Sequence, residues 1–363
     1  MNFHKKEKLK PLIESHTGIH ATIYLENKND LRDLHNQLFQ ALQNIDFDIH
    51  SVLSEQDKED FLSPMRGLLF HNDLLEKLQG HVGLFRTQDS FRILSIPIEV
   101  KHSSHVATTF HVKPLLKWLQ IDKEFYFLGL EKNLVHIYTG SEYAFSKTET
   151  VDLKNGSFQR NNSVDNLKDN SILFWYKNWI YEKSIDMKTN IFIAGEKSLT
   201  DLLTKNKILP LSKDNVISTG FDLNSSKAYC ALVRLRMQKI VKTELHTSLV
   251  EFYNAEEQML TCRNVFEIAK KAVAGDIKKL IINSDITIHG RFNKKNGDLF
   301  LNQADLDHED DDILDDLAQE VLARGGEVVL ASDHEIPKGR SILAILEHES
   351  FDLDGYKNEV KNA

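Results

Sequence analysis

Short apolar runs rich in β-branched and aromatic residues alternate along the whole chain with segments whose leucines recur at spacings of three and four. The first pattern has the period of a half-buried or buried strand and the second that of one helix face, so the alternation restricts the chain to α/β architectures. Ala21–Leu25 reads as a strand, and Asn29 and Asp30 can cap a helix over 31–43 that lines up Leu31, Leu34, Leu38 and Leu42. A helix pair is expected over 61–79. Two strands, 80–86 and 91–97, then follow, joined by the polar turn 87–90. With 363 residues the chain exceeds one ordinary core, and its 41% hydrophobic content is enough to build several.

Further along, a short helix is expected from His111 to Gln120. A hairpin of 125–130 and 134–138 turns at Glu131–Asn133, and 143–153 can supply a third strand. The stretch 154–170 has five asparagines and no periodic apolar residue, which marks a long polar loop. Beyond it come a helix over 172–183, a buried strand at 190–195 and a short helix that Ser198 can cap, ending near Lys205. Pro210–Thr219 reads as a boundary. One long helix follows over 225–253, in which Leu232, Leu235, Ile240 and Leu245 sustain no heptad, then a second helix over 256–274 closed by Gly275. The remainder reads as a strand at 280–282, a hairpin turning at 294–297, an acidic run 305–312 opening a helix to Arg324, and strands at 327–330 and 341–346. The acidic run suits a helix N-terminus, and Ile313, Leu314, Leu317, Ala318, Val321 and Leu322 form the expected buried face. The last part is an expected α-β-α sandwich.

Two cysteines, Cys230 and Cys262, cannot make a disulfide framework or a four-thiolate zinc site. The basic start, with Lys5, Lys6, Lys8 and Lys10, leads into no apolar run, so no signal peptide or membrane span is expected and the protein should be cytoplasmic. A net charge of -9 argues against a general nucleic-acid coat. The charge is unevenly spread: residues 106–217 hold 15 basic and 13 acidic side chains, whereas 218–363 hold 18 and 26. Such asymmetry would orient the molecule in the field of a large polyanion.

The phosphate-binding loop, the dinucleotide-binding glycine turn, the nucleophile elbow and the helical His-Glu-x-x-His pair are all missing. His102, His105 and His111 fit no standard ligand spacing and read as surface or packing residues. His308 with Asp305, Asp307, Glu309 and Asp310 lacks the glycine and ligand alternation of a calcium loop and reads as a solvated helix start. The polar loop is the better candidate site. Lys154, Gln159, Arg160 and Lys168, among several amides, are groups that bind phosphates and base edges without catalysing a reaction; a plain surface loop is the competing account. No cofactor or metal is expected.

The order of several segments resembles a family. Phe110-His-Val-Lys-Pro-Leu-Leu116, the runs 125–130, 133–138 and 191–195, and then 275–282, Gly290-Arg-Phe292, 325–329, Ile336-Pro337 and 344–346 are similar in order and spacing to a bacterial offshoot of the archaeal and eukaryotic class-1 release factor and Pelota family. The resemblance implies three domains. Residues 1–105 would form an α/β domain reaching toward the decoding site. Residues 106–217 would form an RNase H-like mixed-sheet domain pointing its long loop at the peptidyl-transferase centre. Residues 218–363 would form an α-β-α sandwich resembling kink-turn-binding ribosomal proteins and contacting partner factors. It also implies the ribosome, through ribosomal RNA, as partner, together with a translational GTPase, and a role in rescue or hibernation. The chain departs from the release factors at the loop, which reads Lys154-Asn-Gly-Ser-Phe-Gln-Arg160: the family's Gly-Gly-Gln is absent, and the only Gly-Gly, at 325–326, precedes Glu327. No codon-reading Asn-Ile-Lys-Ser-like motif is found either. A metal-dependent RNA nuclease or phosphoesterase built on Asp152, and a protein-interaction adaptor using the acidic last third, are the alternatives.

Overall fold

The structure is a computed structural model that describes residues 9–13, 18–154, 167–185, 189–205, 213–217, 220–301 and 311–347. It is a mixed α/β protein with several sheets. The chain falls into two compact units, one of residues 121–243 and the other of 6–120 with 244–363.

The second unit begins with β1 (His20–Leu25), α1 (Leu31–Ile49), α2 (Glu55–Gly67), α3 (Asn72–Lys77), β2 (His81–Arg86), β3 (Phe91–Ile96) and β4 (Ser103–Ala107). The strands form an antiparallel sheet in the order β3-β2-β1-β4. Asp30 caps α1 as the sequence implies, its carboxylate accepting the Arg32 and Asp33 amides. The helix outruns its expected end at Gln43, because Ile45 and Ile49 continue the buried stripe of Leu34, Leu38 and Leu42. Helix α2 starts at Glu55, ahead of the expected Phe61; Ser54 caps it by accepting the Asp57 amide. The polar edge strand β4 has no sequence signal beyond its last two apolar residues.

Helix α4 (Lys113–Ile121) closes the 6–120 stretch, and the other unit then carries β5 (Phe125–Leu130), β6 (Leu134–Gly140), β7 (Phe145–Asp152), α5 (Leu167–Glu182), β8 (Asn190–Gly195), α6 (Lys197–Lys205) and β9 (Val216–Ile217). Strand order is β7-β6-β5-β8-β9, an antiparallel meander continued by parallel β8 and β9. One face, with Leu128, Leu130, Val135, Ile191 and Ile193, packs on Trp175, Tyr176 and Trp179 of α5. Helix α5 begins five residues earlier than expected, which takes 167–170 out of the polar loop, and Ser198 lies within α6 instead of capping it. Part of the stretch that reads as a boundary, Val216–Ile217, is the fifth strand.

The opposite face, with Phe125, Phe127, Tyr138 and Phe192, is covered by Tyr229, Val233 and Met237 of α7 (Ser226–Glu256). Two of the four residues that the apolar pattern singles out in α7 face outward, Leu232 and Leu235 being 46% and 63% exposed, whereas Ile240 and Leu245 pack inward. Gly129 in β5 leaves room for the Phe221 ring, which occupies the place a Cβ would take.

Residues 244–256 of α7 belong to the unit that 244–363 completes. It continues with β10 (Thr261–Cys262), α8 (Val265–Ala274), β11 (Ile277–Asn283), β12 (His289–Phe292), β13 (Leu299–Leu301), β14 (Asp311–Asp312), α9 (Ile313–Ala323), β15 (Glu327–Ala331) and β16 (Ile342–Leu346). The expected helix over 256–274 is broken: the chain turns at Met259, with φ 57°, and β10 pairs with β16 before Asn264 caps α8. Gly275 ends α8 in the left-handed conformation, with φ 79°. The sheet runs β10-β16-β11-β15, and β13-β12-β14 make a smaller one. Leu245, Leu249 and Phe252 of α7 pack on Ile281, Leu343 and Ile345, while α8 and α9 contact β11.

Candidate functional site

Lys154 is exposed directly after β7, and its amide donates to the Asp152 carboxylate at 2.8 Å. The turn so made ends the edge strand. Gln159 and Arg160 lie outside the described residues, and Lys168 stands in the first turn of α5 instead of in a loop. Asp152, the carboxylate on which a nuclease would be built, thus serves the turn. Among the described residues no group of three or more His, Cys, Asp or Glu side chains is placed to hold a metal ion. The His308 cluster with Asp305, Asp307, Glu309 and Asp310 lies outside the described residues.

Sequence reasoning misses a second constellation. Asp311 and Asp312 on β14 and Asp315 and Asp316 in the first turn of α9 are all buried, although the sequence reads there as a solvated acidic start. They face the segment that runs from β4 into α4. Asp311 accepts from the Thr108 amide at 3.3 Å and its hydroxyl at 3.0 Å; Asp316 accepts from the Thr109 hydroxyl at 3.0 Å. Asp315 accepts from the Val112 amide at 2.7 Å and meets His111 Nδ1 at 2.9 Å. Lys113, only 5% exposed, pairs with Asp312 and donates to the Ile286 carbonyl at 2.8 Å. Gln319 donates to the Phe110 carbonyl at 3.1 Å, and Lys294 approaches Asp316 at 3.8 Å. Asp312 also caps α9 through the Leu314 amide. Buried carboxylates persist only where donors replace water, and here one short segment supplies most of them.

The histidines are packing groups, as expected. His102 contacts the Gln37 carbonyl at 3.1 Å, while the rings of His105 and His111 lie 4.4 Å apart. Burial, with His111, His289 and Lys113 adding like charge, pulls His105 down to about 3. Burial first and the neighbouring carboxylates second push Asp311 up, and burial, partly opposed by Lys294, does the same for Asp316. The cluster can therefore bind protons, and most of its oxygens meet internal donors, Asp315 Oδ1 being buried without one.

These raised carboxyls make stability depend on pH. A carboxyl raised in the folded state contributes stability that is complete below its unfolded value, about 4, and is lost as pH climbs through the folded value. His105 works the other way, but only below about 6.5. Above pH 6.5 the aspartates alone remain, and wild-type stability should decline by up to about 1.4 kcal/mol per pH unit for each proton released. Asp311→Asn keeps an acceptor for Thr108 and cannot ionise, so its thermal midpoint should stay flatter between pH 6.5 and 8.5. Superposable profiles for the two proteins would show Asp311 already ionised at pH 6.5.

The site and fold define a mixed α/β protein with a turn at Asp152–Lys154 at the end of a sheet-edge strand and a cluster of buried aspartates in its other unit. No protein-family model matches the chain, and no curated protein matches it. Among solved structures it is similar to Dom34 of S. cerevisiae, a translation termination-like factor involved in RNA quality control and interacting with Hbs1. Identity there is 15%, over 73% of this chain and 74% of that one, with a TM-score of 0.42. An archaeal Pelota, from a model of ribosome-bound Pelota and ABCE1, is 11% identical over 72% of each chain, with a TM-score of 0.43. The archaeal termination factor aRF1 is 11% identical over 95% of this chain and 98% of its own, with a TM-score of 0.27. At such identities and scores these likenesses assign no function.

Proposed function

We propose that the chain is a non-catalytic, cytoplasmic, ribosome-associated factor of the release factor and Pelota type, acting in rescue or hibernation. The observation that carries the reading is the segment opened by the Lys154–Asp152 turn: basic and amide-rich, it leaves the edge strand of a five-stranded mixed sheet and lacks Gly-Gly-Gln. Glycines in such a motif allow backbone conformations closed to other residues, and Phe158 and Arg160 beside Gln159 do not supply them. Lys154, Gln159, Arg160 and Lys168 would touch ribosomal RNA without hydrolysing the peptidyl ester. The reading includes three domains, the middle one RNase H-like and the last an α-β-α sandwich of the kink-turn-binding type, with a translational GTPase as partner.

The protein should co-sediment with ribosomes in extracts of stressed cells and release no peptide from ribosome-bound transfer RNA. Lys154→Glu/Arg160→Glu should lower the bound fraction several-fold and reduce the salt slope of binding by about two, one for each phosphate that is no longer neutralised. Absence from every ribosomal fraction, or peptide release by the purified protein, overturns the reading.

A further inference from the structure

The last third of the chain is its most acidic part, yet residues 223–243 contain no carboxylate at all. They contain five basic side chains: Lys227, Arg234, Arg236, Lys239 and Lys242. This stretch is the start of α7. Tyr229, Val233 and Met237 turn one face of it into the sheet of the 121–243 unit. At 100° per residue, Ala228, Ala231, Leu235, Lys239 and Lys242 fall on the opposite face, and all five are exposed. Leu232 lies beside that stripe, and Lys227, also exposed, extends it toward the helix start. Arg234 and Arg236 stand on its two flanks.

The charge of this face is not neutralised from within. Arg234 Nε donates to the Ser141 carbonyl at 3.1 Å. Arg236 Nη1 donates to the Asp214 and Val216 carbonyls at 2.8 and 3.1 Å. A guanidinium held by neutral oxygens is oriented but keeps its full charge and its remaining donors. Among the described residues none of the five cations forms an ion pair. Glu142, which approaches this helix from the turn after β6, accepts from Gln238 at 2.8 Å instead. In the other unit several lysines are paired: Lys58 with Asp46 and Glu55, Lys113 with Asp312, Lys279 with Glu251 and Glu327. An uncompensated basic stripe on a protein of net charge -9 is a local reversal of sign, and its length of about 24 Å over sixteen residues, 227–242, suits a row of phosphates. The two exposed leucines allow close approach where a continuous lysine face would hold a layer of water.

We infer that the solvent face of the first half of α7 is a docking surface for the phosphate backbone of double-helical RNA. The inference deepens the proposed function by giving it a second RNA contact, remote in sequence from the polar segment, and takes from it only the choice of RNA as the polyanion. Contacts of this kind carry no sequence information, so the surface would set orientation and affinity.

The test uses the purified full chain and a 20-bp RNA duplex, with binding followed by fluorescence anisotropy from 50 to 300 mM KCl. Lys239→Glu/Lys242→Glu changes two exposed side chains and spares the fold. It should weaken binding at least tenfold at 100 mM salt and lower the log–log salt slope by about two. Lys270→Glu/Lys338→Glu, the same charge change on exposed residues of the other unit, should leave binding within about twofold. No binding by the wild type, equal losses in the two variants, or preference for a poly-glutamate peptide over the duplex each overturns the inference; the last would assign the face to an acidic protein. Co-sedimentation with ribosomes is measured in parallel. A wild type that binds duplex but not ribosomes removes the ribosome reading and leaves this one standing, and the converse result does the reverse.

Discussion

Replacing Lys113 with methionine should cost the 6–120 and 244–363 unit about 3–5 kcal/mol at pH 8, the range found when one partner of a buried ion pair is removed. Methionine keeps the volume of the side chain, so the loss reports charge and hydrogen bonding. Lys113 is 5% exposed, pairs with Asp312 and donates to the Ile286 carbonyl. Without the ammonium, four aspartates within six residues keep the more distant Lys294 as a cationic neighbour. Lowering the pH to 5.5 should restore part of the loss by protonating carboxylates, and adding Asp312→Asn should restore more, since asparagine can still cap α9. The measurement is urea unfolding followed by Trp118 on α4 in a Trp175→Phe/Trp179→Phe background, which silences the tryptophans of the other unit. A loss below 1 kcal/mol that does not change with pH would mean that the cluster is held by its neutral donors alone.

The part of the fold legible in the sequence is the part decided by neighbours along the chain. Helix α1 is visible because Asp30 caps it and Leu34, Leu38 and Leu42 repeat on one face; β5, β6 and β8 are visible as apolar runs bounded by turns. What local pattern misjudges is decided by distant partners. Asp315 and Asp316 are hydrophilic, sit where a helix start favours acid, and are nonetheless buried, because the Val112 amide and the Thr109 hydroxyl reach them from more than 200 residues away. A signal is present in the opposite strip, Thr108-Thr-Phe-His-Val-Lys113, where donors are dense between apolar residues, but nothing in the order of residues says that the two strips meet. Strand β4 and the turn at Met259 escape local pattern for the same reason, since β1 and β16 supply their pairing. In the first half of α7 Leu232 and Leu235 suggest the apolar face, whereas Tyr229, Val233 and Met237 fill the groove over the aromatic side of the sheet. The candidate RNA-binding residues are singled out by chemical type. Of these, Lys154 is exposed at the base of its turn and Lys168 belongs to a helix anchored by Trp175, Tyr176 and Trp179.

Gly290→Ala should be nearly as damaging as the loss of Lys113, at about 3 kcal/mol, though it deletes no side chain. Gly290 sits in β12 between Leu301 of β13 and Asp311 of β14. A Cβ there would overlap the Phe300 carbonyl oxygen and stand 2.8 Å from Ile313 Cδ1 and 3.1 Å from the Leu301 Cα. Two of the three obstacles are backbone, so no rotamer change clears them, and the strands must separate, which places the cost at the upper end of that for overpacked cores. The displacement is not confined to β12. Asp311 pairs with Gly290, and its carboxylate holds Thr108, so moving β14 loosens the clasp on the segment entering α4. Gly290→Ala and Asp311→Asn should therefore be non-additive: once β14 has shifted, the pH dependence that Asp311→Asn removes should already be diminished. The same Trp118 unfolding assay, run at pH 6.5 and 8.5 on both single variants and the double, reads both effects. Strict additivity, or a cost under 1 kcal/mol for Gly290→Ala, would show that the small sheet yields without disturbing the aspartates.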